Sequence, residues 1–322
     1  MAKENTATLS KEEQLKKLRV KNTIRNLLPL IGLVVIFLIF NVLTNGRMVS
    51  NITLLLSQGY TIMIAATGVF FIMTMGGLDF SQGSILGMAA IVICIVSNVS
   101  IPLAIVAGIA TGAVIGAVNG FFYVNRKIKS FVVTICTMFL FRGIIKYLTS
   151  DAPVQGNAQL AFMDSDALKI GMTVGVLVIF FILFRFTKFG IHLKAIGAGE
   201  KAAMFAGIRT DRMKFLIYTL SGAITGFAAL ITCVKTGSVT ANAGNQLETQ
   251  ILIALVLGGM PISGGAKVRF ENVIVGTLLY VVLSRGLEML GMTTQMSQLI
   301  MGVVFLIFVT VFADRQSLKV IK

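Results

Sequence analysis

Between residues 52 and 75 the chain reads ITLLLSQGYTIMIAATGVFFIMTM, without one charged side chain. A run of that length matches the ~20 residues an α-helix needs to cross a hydrocarbon core, where every backbone N–H and C=O must be satisfied within the segment itself. Counting similar runs along the chain gives ten segments: 27–44, 52–75, 84–97, 101–124, 130–149, 170–186, 213–234, 248–260, 271–290 and 295–313. A mean hydropathy of +0.90 and a charged fraction of 13% lie outside the range of a water-soluble domain. The expected fold class is an all-α polytopic membrane protein with about ten transmembrane helices.

Orientation follows from lysine and arginine, which short cytoplasmic loops retain. With the first residues inside, all but six of the 28 basic residues fall on the cytoplasmic side, the six being Arg47, Arg142, Lys146, Lys169, Lys235 and Arg285. Residues 1–26 then form a basic cytoplasmic tail, 27–313 the transmembrane domain and 314–322 a cytoplasmic C-terminal tail. The polar residues before the first apolar run, with no small-residue cleavage site after it, argue against a cleavable signal. In a soluble protein a net charge of +15 would suggest nucleic acid. Here the basic residues alternate with apolar runs, so the expected partner is lipid and not nucleic acid.

Two segments, 84–97 and 248–260, are too short to span and are expected to be discontinuous or half-spanning helices. Each adjoins a similar motif, GGLDFSQGS from Gly76 and GGMPISGGA from Gly258. Paired glycines end a helix, and Asp79 or Ser81 can cap the next one, so each copy reads as helix, break, helix start. Irregular backbone at membrane depth is tolerated where it is buried in protein or lines a cavity, and transporters place substrate sites at such breaks. The first turn comprises Gly76, Gly77, Asp79, Ser81 and Gly83, and the second Gly258, Gly259, Ser263 and Gly264. Six apolar runs separate the two copies, which places both on one side and indicates a parallel internal repeat.

Asp79 has two readings, a helix cap or a ligand on a transport pathway. Arg285 and Glu288, three apart, can pair on one helix face; Arg142 and Lys146 are expected to reach the outer headgroups. Gly108, Gly112, Gly116 and Gly120 make a smooth stripe for close helix packing, within the subunit or at a dimer face. The basic stretch Lys188–Arg212 contains a short helix, Glu200 to Ala206, bounded by glycines and suited to docking a cytoplasmic partner.

Cys94, Cys136 and Cys233 lie in apolar runs and form no C-x-x-C pair, which suits small apolar packers. His192, the one histidine, has no companion at metal spacing, so no metal site is expected. No Gly-Lys pair exists in the chain, so a P-loop is excluded and any ATP must be hydrolysed by another subunit. The hydrolase and metalloprotease motifs are absent too, and catalysis within the chain is not expected.

The blocks GGLDFSQGS, GAVIGAVNG followed by FRG at Phe141–Gly143, AIGAGEKAAMFAGI and LVLGGMPISGG resemble permease subunits of bacterial ABC importers for ribose, galactose and related simple sugars. The match runs from about Leu27 to Ala313. The resemblance implies a bacterial cytoplasmic-membrane protein with both ends inside. It also implies a second permease subunit, two ATPase subunits that bind ATP–Mg, and an extracytoplasmic sugar-binding protein. Carried over by motif, Gly197, Glu200, Ala203 and Gly207 belong to the ATPase-coupling loop, where Gly199 stands in place of a frequent asparagine. Pro261 occupies the place of Asp79 in the second copy, so no symmetric carboxylate pair exists. The alternative reading is a stand-alone ion- or proton-coupled secondary transporter with Asp79 as the coupling group.

Overall fold

A computed structural model describes residues 11–312, with side chains from residue 27 to residue 310. The first ten residues of the basic tail, the tail at 314–322 and the last residue of the tenth run lie outside the described residues. Fourteen helices follow one another among the described residues. They are α1 (Lys11–Leu43), α2 (Arg47–Ser50), α3 (Ile52–Thr74), α4 (Gln82–Ser97), α5 (Ile101–Asn125), α6 (Ser130–Leu148) and α7 (Gln159–Phe162). Then come α8 (Asp166–Phe186), α9 (Lys188–Ala198), α10 (Glu200–Phe205), α11 (Thr210–Thr236), α12 (Leu247–Leu257), α13 (Glu271–Met289) and α14 (Thr294–Phe312). The strands β1 (Val154–Gln155) and β2 (Ser238–Val239) form a two-residue antiparallel pair that the sequence does not signal.

The protein is an all-α polytopic membrane protein. Each of the ten apolar runs is a helix: α1, α3, α4, α5, α6, α8, α11, α12, α13 and α14. Six of these, α3, α5, α6, α8, α11 and α13, are long and apolar enough to cross a membrane. Helix α1 starts at Lys11, inside the stretch assigned to the tail, because KEEQLKKLRVKNTIRN is rich in helix-favouring Lys, Glu, Leu and Arg. Helix α12 has 11 residues, ~16 Å at 1.5 Å per residue, about half of a ~30 Å hydrocarbon core.

The interior is built around α3 and α11. The apolar window of α3 is 78% buried and that of α11 72%, against 17% for α8. A helix that is apolar all round is stable only when surrounded. Helices α5, α6 and α8 instead turn Val106, Val114, Phe139, Leu140 and Ile179 outward, a surface suited to lipid or to another subunit. Phe70 of α3 meets Phe184 of α8 and Phe270 beside α13 at ring-centroid distances of 4.9 and 5.4 Å, both edge-on. This aromatic knot fixes the end of α8 from which α9 departs.

The glycine stripe packs within the subunit. A Cβ on Gly112 would strike the Gly222 carbonyl of α11, and one on Gly116 the Tyr218 carbonyl; Gly108 faces Gly226 and Gly120 faces Phe215. Rising numbers on α5 therefore meet falling numbers on α11, an antiparallel pair in backbone contact.

One arrangement was not legible in the motifs. Helix α3 runs antiparallel to α11, with Gly68 against Ser221 and Gly77 against Tyr218. The two short helices begin back to back: a Cβ on Gly83 would strike the Gly244 carbonyl, and a Cβ on Gly244 the Gly83 carbonyl. The Gly-Gly motifs at Gly76 and Gly258 lie at one end of the bundle, as an even number of intervening runs requires.

Candidate coupling site at the glycine turns

Both Gly-Gly motifs close a helix in the same way. After α3, Gly76 takes a left-handed φ of 79°, and the Gly77 N–H donates to the Ile72 carbonyl at 3.0 Å. After α12 the left-handed residue is Gly259, with φ 87°, and the Met260 N–H donates to the Leu255 carbonyl at 3.1 Å. These are six-to-one closures that satisfy orphan carbonyls. The positive φ falls on the first glycine of one copy and the second of the other. The remaining glycine serves packing: a Cβ on Gly77 would come within 2.9 Å of the Tyr218 hydroxyl, and one on Gly258 would strike the Asn272 backbone.

The two turns meet each other and the Lys188–Arg212 stretch at one point. The Gly265 N–H donates to the Thr74 carbonyl at 3.1 Å, and Gly264 lies against Met73 and Gly76. Gly197, near the end of α9, faces the same Thr74 carbonyl, and its Cβ would sit 2.9 Å from the Gly265 nitrogen. Three chain segments converge with no space for a side chain.

The loop is more ordered than expected, with two helices where one was anticipated. Gly190 and Gly197 both lie inside α9 and serve close approach, Gly190 to the Phe184 carbonyl. His192 lies on the same helix. Lys194, on α9, lies 4.8 Å over the Phe184 ring; burial, and then the neighbouring Arg185, push its ammonium below its ordinary value. Helix α10 begins at Glu200 and ends where Gly207, φ 84°, turns left-handed. Ala203 faces inward, while Met204 and Phe205 are exposed, Phe205 at 89%.

From α10 a chain of contacts enters the bundle. Glu200 accepts a hydrogen bond from Lys214 of α11, whose ammonium lies 5.0 Å over the Tyr123 ring of α5. Tyr123 packs on Tyr218 at 5.5 Å between centroids, and the Tyr218 hydroxyl donates to the Leu78 carbonyl at 3.3 Å. Leu78 adjoins Asp79.

Asp79 is 2% exposed and its oxygens are engaged. Oδ1 accepts from the Ser81 N–H at 2.8 Å and the Ser81 hydroxyl at 2.6 Å; Oδ2 accepts from the Gln82 amide at 2.7 Å. The same amide donates to Ser221 at 3.2 Å, Thr225 donates to the Gln82 oxygen, and Asn119 donates to the Ser81 hydroxyl at 2.9 Å. The carboxylate thus holds the turn that leads into α4, whose N-cap is Ser81, and anchors a buried polar network across α4, α5 and α11.

The family model described as branched-chain amino acid transport system / permease component matches residues 51–309. The chain belongs to that family. Among curated proteins, this permease is 33% identical to a ribose import permease of Bacillus subtilis, covering 95% of this chain and 99% of the relative. It is 29% identical to the ribose import permease of Escherichia coli K12, covering 89% and 93%. It is also 29% identical to a galactofuranose transporter permease of the same strain, covering 85% and 83%. No solved structure matches it significantly.

Two features of the permease depart from the sequence reading. Arg142 does not reach outward; it donates to Glu248 at 3.4 Å, the Gly244 carbonyl at 3.3 Å and Asn245 at 3.2 Å. The physical reason is the path of residues 240–246 before the half-length α12, which brings the Glu248 carboxylate, the Gly244 carbonyl and the Asn245 side chain to Arg142. The participants around Asp79, namely Gln82, Asn119, Ser221, Thr225 and Tyr218, were not singled out either. Gln82 is one letter of the first glycine motif, the others are polar residues within apolar runs, and only the fold brings them together. Arg285 and Glu288 do pair, at 2.6 Å. Cys94 and Cys233 are buried, and Cys136 is exposed.

Proposed function

We propose that this permease is the membrane subunit of an ATP-driven importer of a simple sugar. The family's description speaks of branched-chain amino acids, but the similar curated proteins are permeases for ribose and galactofuranose, and the similarity to them runs nearly end to end. In this reading two permease subunits sit between two cytoplasmic ATPases, which bind ATP–Mg, and a sugar-binding protein on the outer face. Both chain ends are cytoplasmic, and the permease itself catalyses nothing.

The observation that carries the reading is the convergence of Gly197 with both glycine turns at Thr74. An ATPase that moves α9 and α10 would press on the ends of α3 and α12 directly, and through Glu200 and Lys214 on α11 and α5. Such rigid displacement of packed helices is how alternating access is driven. The secondary-transporter reading is disfavoured, because Asp79 is closed off by neutral donors and has no exposed face on which to exchange a cation.

Co-purification with a candidate ATPase subunit, followed by hydrolysis assays in nanodiscs with and without a candidate sugar-binding protein, tests the assembly. Stimulated hydrolysis is expected; absence of any ATPase association would refute it. Glu200→Ala leaves Lys214 without its partner and is expected to weaken coupling, lowering uptake per ATP several-fold while the bundle stays intact. Unchanged uptake per ATP would remove Glu200 from the coupling route.

A further inference from the structure

A half-open cavity of about 600 Å³ lies between α12, α13 and α14, within the range of small-molecule sites. Its wall changes character along its length. Near the start of α12, the end of α13 and the start of α14, it presents Thr249, Gln250, Ser284, Thr294, Ser297 and Gln298; toward Ile262 and Phe80 it is apolar. The polar positions share one helical face on each element, 246, 249 and 250 on one side and 294, 297 and 298 on another, so the lining is a property of the sequence. The Gln298 amide donates to Gln246 across the space at 2.8 Å.

Two observations point to a ligand. Ser297, 7% exposed, is among the residues around the cavity, and its buried hydroxyl, without a hydrogen-bond partner among the described residues, is spare hydrogen-bonding capacity beside that space. The charge pattern then selects the ligand's class. No lysine or arginine lines the cavity, and its one carboxylate, Glu288, is held by Arg285 at 2.6 Å. A zwitterionic amino acid would leave its carboxylate without a cation, whereas a neutral polyol needs amides and hydroxyls that both donate and accept, with a ring face beside them. Tyr280 and Phe305 supply such faces.

We infer that the polar half of this cavity is a binding site for a neutral polyhydroxylated solute within the permease itself, giving the membrane subunit its own substrate selectivity. The inference rests on the sugar-import reading and deepens it. The apolar half, ending at Phe80 beside the Asp79 network, closes the site toward the glycine turns.

The test uses the complete importer in proteoliposomes, with ribose, xylose and galactose as labelled probes and leucine as competitor. Gln250→Leu and Ser297→Val, checked for monodisperse assembly, are expected to lower uptake at least tenfold while ATP hydrolysis stimulated by the binding protein stays within twofold. Gln250→Asn and Ser297→Thr should recover part of the uptake, and leucine should not compete. Wild-type sugar uptake that survives both apolar variants unchanged would overturn the site and leave the importer reading standing. A wild-type complex that hydrolyses ATP but moves none of the sugars would overturn the sugar reading, and the site with it.

Discussion

Gly112→Leu is expected to leave no correctly assembled permease in the membrane. The Gly112 and Gly222 backbones are in mutual contact, each glycine's missing Cβ pointing at the other's carbonyl. A leucine must push α5 from α11 along the whole seam, which also separates Gly108 from Gly226 and Gly116 from Tyr218. Overpacking by one or two methylenes typically costs about 1–3 kcal/mol; here the obstacle is backbone and cannot rotate away. Gly112→Ala, adding one methyl, should lower thermal stability while retaining some assembly. Gly175→Leu on α8, where a Cβ meets nothing within 4 Å, is the control and should be tolerated. Thermal shift in detergent and fluorescence-detected size exclusion read all three, and a stable, monodisperse Gly112→Leu permease would refute the seam.

Asp79→Ala is the second large effect. It strips acceptors from the Ser81 N–H, the Ser81 hydroxyl and the Gln82 amide, and each buried donor left unpaired costs about 1–3 kcal/mol. Asp79→Asn keeps an acceptor for Ser81 but can place an amide against the amide of Gln82, a loss of about 1–3 kcal/mol. Transport and stability should therefore fall together, alanine below asparagine below wild type. A fully stable Asp79→Asn protein with no transport would instead assign the carboxylate a role in the pathway.

The ten helices were legible because each membrane segment must carry its own apolar length, a local property of sequence. The two short ones were legible for the same reason. What remained hidden depends on pairing between distant segments. The stripe Gly108 to Gly120 announces a close neighbour but not its identity; Gly222 and Gly226, four apart on α11, complete it only in three dimensions. Arg142 read as a headgroup-seeking side chain because nothing near it in sequence shows that residues 240–246 come to meet it. The packing roles of Gly190 and Gly197 were hidden too, because a glycine that admits a neighbouring backbone looks the same in sequence as one that ends a helix.

The seam between α5 and α11 also has a mechanical meaning. From Gly108 to Gly120 it runs twelve residues, ~18 Å along the axis, and over that length the two backbones touch instead of meeting through flexible side chains. A joint of that kind has little play: the helices cannot slide past one another without carbonyls colliding, so the pair behaves as one stiff beam. Lys214, a residue from Phe215 at one end of the beam, is held by Glu200. Tilting that end by a few degrees would swing the other by an ångström or so, and a stroke delivered at the loop would travel the height of the subunit with almost none of it absorbed on the way.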